Sequence, residues 1–133
     1  MKKLLLIITF ALIIGIFYFS WLPDSTLTSE KYLPIWLLNW SNEYVNMRTA
    51  VPFVVIGVVL EARSGLQKPV NNKSWIYNTL WAATIIISAE IGQYFTDKRH
   101  TDLYDIMYGI VGTLTGVTFY HLTFQLVKKF KKC

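Results

Sequence analysis

Four stretches of this chain are long and apolar enough to cross a bilayer: residues 4–22, 44–62, 75–95 and 103–127. A helix needs roughly 20 mostly apolar residues to span about 30 Å of hydrocarbon. Backbone at that depth must bond to itself, which a helix does and a lipid-exposed loop does not. The four stretches take up most of the 133 residues, leaving room for a single domain, residues 1–133. Only 16% of the residues are charged, against about 25% in soluble domains. The pattern predicts an all-α fold, an integral membrane four-helix bundle.

The first stretch follows Lys2 and Lys3 as a secretory leader would, but its apolar core is longer than the roughly 7–15 residues of a leader. No small-residue cleavage site follows it; the flank reads Ser20, Trp21, Leu22, Pro23. It is therefore read as a retained span. Of the 13 Lys and Arg, nine fall on one side: Lys2, Lys3, Arg63, Lys68, Lys73, Lys128, Lys129, Lys131 and Lys132. Lys31, Arg48, Lys98 and Arg99 fall on the other. The excess of positive charge marks the cytoplasmic side, so both termini are expected there. The net charge of +5 then reflects a basic tail that meets anionic headgroups, not a nucleic-acid surface. With one cysteine, Cys133, an intrachain disulfide is ruled out.

The first outer loop, residues 23–43, carries Tyr32, Leu33, Ile35, Trp36, Leu37, Leu38 and Trp40 among polar residues. It is too short to span and too apolar for water. It reads as an interfacial or re-entrant segment capping the outer face, or as a loop wedged between helices. Trp36, Trp40 and Tyr44 fit an interfacial aromatic belt, with a ligand-stacking cage as the alternative.

Ionisable groups within spans are expensive and persist where they face protein or water. Glu90 lies in the outer half of the third stretch, with Gln93 and Tyr94 three and four positions on and thus expected on its face. The fourth begins with Asp102 and Asp105, followed by Gly109, Gly112 and Gly116. Small residues so spaced let a helix approach closely, which here predicts packing against the third span or dimerisation. Arg48 enters the second span at the level of Glu90 and Asp105, and Arg99 reaches back from the short loop. Depth and face together gather Arg48, Glu90, Gln93, Arg99, Asp102 and Asp105 into one cluster, with Ser20 and Asp24 within reach. Such charges also neutralise one another in purely structural networks.

Glu90, Gln93, Arg99 and Asp105, then Gly112 and Gly116, resemble the signature of the VanZ-like membrane proteins: Glu, two residues, Gln, a short loop, Arg, five residues, Asp, two glycines. Ser20 and Pro23 at the end of the first span are similar to another family element. The chain departs from the family at Gly109, where many members carry asparagine. It also departs around Asn46, Arg48, Pro52 and Phe53, where the family's histidine is absent. The resemblance implies a small bacterial cell-envelope protein associated with resistance to teicoplanin, a lipid-tailed glycopeptide, and supplies no reaction.

Three functions follow for the cluster. As a binding site it would grip an envelope lipid or lipoglycopeptide, Arg48 and Arg99 holding a phosphate or carboxylate. As an enzyme it would use Glu90 and Asp105 as acid and base on a lipid-linked phosphate, without a cofactor. Neither a His-Glu-x-x-His nor a Gly-x-Ser-x-Gly motif is present, His100 sits in a loop, and His121 lies near the cytoplasmic end. Glu90, Asp102 and Asp105 would suit Mg or Ca if they held a metal, but the basic neighbours argue against one. As an ion or proton transporter it would need a second polar station in the inner half, where Thr79, Thr84, Thr113, Thr115 and Thr118 offer only hydroxyls.

Overall fold

A computed structural model describes residues 1–67, 73–96 and 100–131 of the chain. The fold is all-α: α1 (Lys2–Trp21), α2 (Ile35–Glu43), α3 (Val45–Gln67), α4 (Ser74–Tyr94) and α5 (Leu103–Lys131). α1 stops where Leu22 turns to extended backbone before Pro23, as expected of a residue preceding proline. α2 is the helical part of the loop expected to cap the outer face. Pro34 precedes it, and Ile35 and Trp36 on it are exposed.

Three helices are long and apolar enough to cross a membrane: Lys2–Trp21, Val45–Leu66 and Leu103–Val127. α4 has 21 residues but falls short in apolarity, so the described chain holds three such helices where four were expected. The cause is local. Asn78, Glu90 and Gln93 lower its mean hydropathy, and all three are buried. Its exposed large side chains are all aromatic or aliphatic (Trp75, Ile76, Tyr77, Leu80, Trp81, Ile87, Ile91 and Tyr94), and the exposed Thr84 and Ser88 bond their hydroxyls back to the helix's own carbonyls. A helix with polar groups inward and apolar groups outward is inverted relative to a water-soluble amphipathic helix.

α3 packs against α5 more extensively than any other pair; α4 packs on both, and α1 lies across α3 and α4. The core is small: Phe53, Ile56, Ala82, Ile85 and Ile86, flanked by Leu12, Ile16, Phe17, Leu60 and Ile110. The α5 glycines meet α3, not the third predicted span. A Cβ at Gly112 would strike the Ala50 carbonyl, one at Gly116 the Val54 carbonyl, and one at Gly57 of α3 the Thr113 carbonyl. Gly109 alone approaches α4, with Ile86 Cδ1 2.7 Å from its would-be Cβ. Nearer the C-terminus of α4, Gly92 makes room for the Trp21 indole, whose Nε1 donates to the Ala89 carbonyl at 3.2 Å.

Candidate functional site

At the end of the helices where α1 and α4 finish and α3 and α5 begin, a cavity of about 610 Å³ opens. That is within the 300–1,000 Å³ range of ligand sites. Its apolar wall comes from one face of α1 (Ile8, Leu12, Gly15, Ile16 and Phe19), with Val51 and Phe53 of α3 and Ile86 of α4. Leu27, Leu33, Leu37, Leu38 and Trp40 close it from the first loop and α2, so the segment does cap this end. Trp40 lines the cavity, whereas Trp36 faces outward and Tyr44 is about half exposed; the three aromatics do not form one cage.

The polar end of the cavity gathers Ser20, Ser41, Arg48, Thr49, Glu90, Gln93 and Asp105. Gln93 Nε2 donates to Ser20 Oγ at 2.7 Å and lies 3.5 Å from Glu90 Oε1. Thr49 Oγ1 donates to Asp105 Oδ1 at 2.9 Å. Arg48 Nη1 donates to the Ser25 carbonyl at 2.6 Å, tying α3 to the covering loop. Pro52, one turn after Arg48, lacks the N–H that the Arg48 carbonyl would otherwise receive. Four of the residues expected to cluster, Arg48, Glu90, Gln93 and Asp105, thus share one cavity with Ser20.

The others do not join them. Asp102 is exposed: its Oδ1 accepts the Tyr104 N–H at 2.9 Å, capping α5, and only its backbone N–H reaches Glu90 Oε2, at 3.3 Å. A side chain that begins a helix is claimed by the free N–H groups there. Tyr94 is 76% exposed; the face holding Glu90 and Gln93 is too narrow to include it. Among the described residues, no three His, Cys, Asp or Glu side chains converge as metal ligands would, so Glu90, Asp102 and Asp105 do not form one carboxylate site. Arg99 and the side chains of the tail lysines lie outside the described residues.

Asp24 serves its own loop instead. Oδ1 accepts from the Thr26 N–H (2.9 Å) and Oγ1 (2.6 Å), and Oδ2 from Thr28 Oγ1 (2.9 Å) and the Ser29 N–H (3.0 Å). These bonds, the Thr26 side chain foremost, hold its carboxyl well below the usual carboxylate range. The loop they staple presents Leu27, buried at φ 56°, a left-handed conformation that a branched side chain rarely adopts. A carboxyl depressed in the folded state contributes order above its unfolded pKa of about 4 and loses it only as pH falls through the lower folded value. Amide exchange at Thr26 and Ser29 is therefore expected to stay slow from pH 7 to 4 and quicken below. In Asp24→Ala it is fast throughout; slow exchange in that variant at pH 7 refutes the staple.

The opposite end holds a cluster that the sequence reasoning missed. Glu61 of α3 is fully buried. Asn78 Nδ2 donates to its Oε2 at 2.6 Å, Ser74 Oγ donates to its Oε1, and His121 Nε2 stands 3.0 Å from Oε1. Ser64 shares a hydrogen bond with Asn78 at 3.0 Å. The half of the bundle away from the cavity, where only hydroxyls were expected, therefore contains a second polar station. Between the two clusters lie Phe53, Ile56 and Ile86, buried and packed together. Ser64, Ser74 and Asn78 sit near helix ends, where a polar residue passes for an interfacial one; the buried partner set was not visible one segment at a time.

Comparison of the chain with protein-family models, with curated proteins and with solved structures gives no match.

Proposed function

We propose that the chain is a polytopic protein of the bacterial cytoplasmic membrane that binds a lipid-tailed amphiphile of the cell envelope. In this reading α4 is the fourth span beside α1, α3 and α5, both termini are cytoplasmic, and the cavity lies at the outer end. The inward polar groups and outward aromatic and aliphatic side chains of α4 support its place in hydrocarbon. The placement of nine Lys and Arg on one side supports the orientation.

One observation carries the functional reading: a single cavity joins a long apolar face of α1 to a polar end with one guanidinium and two carboxylates, Arg48, Glu90 and Asp105. Site and ligand then have the same division, apolar tail against α1 and polar head at Arg48. The VanZ-like resemblance of Glu90, Gln93 and Asp105 points to a teicoplanin-type lipoglycopeptide, or the wall precursor it targets, as the amphiphile. The chain either sequesters the compound or shields its target.

Expression in a bacterium susceptible to such compounds is expected to raise the inhibitory concentration of a lipid-tailed glycopeptide at least fourfold, and to leave that of a tail-less one unchanged. Arg48→Gln removes the effect while the protein still accumulates in the membrane. Equal protection against both compounds, or full protection from Arg48→Gln, overturns the proposal.

A further inference from the structure

The cavity is open on one side. α1 and α2 both line it, yet they do not pack on each other. Ala11 and Phe19 of α1 and Val51 of α3 line it while remaining exposed on the outside of the protein. Val51 lies six residues into α3, about 9 Å along the helix axis. A rim at that depth faces sideways, because the loop end is covered by Leu27 and α2. α1, the wall beside the rim, is the least anchored of the long helices; Thr9 is its one buried residue. Gly15, on its cavity face, has nothing within 4 Å of where a Cβ would stand.

We propose that the cavity takes one acyl chain of a phospholipid from the surrounding leaflet, sideways over the rim of Ala11, Phe19 and Val51, on the side where α1 and α2 do not meet. The proposal rests on the amphiphile-binding reading and adds the source, route and pose of the occupant. The chain lies along α1 from Phe19 to Ile8, and the face from Ser20 to Ile8 covers twelve residues, about 18 Å. The phosphate is held by Arg48, whose planar guanidinium carries five N–H donors, only one of which is engaged by the Ser25 carbonyl. Asp105, already accepting from Thr49, receives the hydroxyl or amine of the same head. A head that pairs an anionic oxygen with a neighbouring donor matches a guanidinium and a carboxylate side by side. Water-borne entry would have to lift the loop that Asp24 and Arg48 fasten; sideways entry leaves it in place.

The test uses the full chain in vesicles of phosphatidylethanolamine and phosphatidylglycerol containing a phospholipid with a photoreactive group near the end of one acyl chain. Crosslinks are expected at Leu12, Gly15, Ile16 and Ile86, beyond the background at lipid-facing Ile7, Phe10 and Ile14. Gly15→Leu is expected to reduce the cavity crosslinks at least fivefold without reducing helix content. Crosslinks confined to the outer faces in the wild type overturn the inference whether or not the variant folds. If a lipoglycopeptide added from water still binds in that case, amphiphile binding stands and only the lateral phospholipid is lost; if neither enters, both proposals fail.

Discussion

Gly116→Ala and Gly57→Ala are each expected to destabilise the protein by about 2 kcal/mol, although alanine is the better helix former. The backbones of α3 and α5 approach so closely that each added Cβ meets a main-chain carbonyl, Val54 from Gly116 and Thr113 from Gly57. A rigid carbonyl does not rotate aside as a side chain would, so the helices must separate. Overpacking of this kind costs about 1–3 kcal/mol and at times more, against a gain of up to about 1 kcal/mol from helix propensity. Gly15→Ala supplies the contrast: with open space around its Cβ, only the propensity gain remains and stability rises slightly. Thermal unfolding in detergent, followed by circular dichroism, separates the two cases. Gly116→Ala unfolding at or above the temperature of Gly15→Ala would falsify the close α3–α5 approach.

Asn78→Leu is expected to be the most damaging single change, destabilising by about 3 kcal/mol. Interhelical hydrogen bonds between neutral groups in membranes contribute only about 0.6 kcal/mol on average. Asn78, however, donates to Glu61, which is wholly out of contact with solvent. Removing that donor leaves a buried carboxyl oxygen short of a partner, which costs about 1–3 kcal/mol. The Glu61→Leu/Asn78→Leu double variant removes the carboxyl as well, and so is expected to be more stable than Asn78→Leu alone. A double variant as unstable as the sum of the two single changes would show that the carboxylate is not what Asn78 serves.

The apolar stretches were legible because length and composition decide them, and each long helix begins and ends within a few residues of expectation except the C-terminal ends of α3 and α5. α3 runs on to Gln67 because Arg63 and Ser64 continue a helix that the hydropathy pattern had closed at residue 62. The cavity cluster was legible through depth: Arg48, Glu90, Gln93 and Asp105 sit at matching levels and do line one cavity. Depth says nothing about rotation, and rotation is what removed Tyr94 and Asp102, one turned outward and the other engaged in capping. Rotation also explains the glycines, whose partner helix is the one whose backbone comes closest, α3, and not the neighbour in sequence. Leu27 was invisible because its buried, left-handed conformation is imposed by the Asp24 bonds around it.

The inward polarity of α4 bears on how the protein is made. On its own, the segment presents Asn78, Glu90 and Gln93 to whatever surrounds it, and each is unfavourable in lipid. Glu61 of α3 and Ser20 of α1 precede it in the chain and are the partners of Asn78 and Gln93. In the four-span reading proposed above, α4 is then expected to enter the bilayer together with helices already synthesised and not alone, and loss of either partner is expected to lower the amount of protein in the membrane.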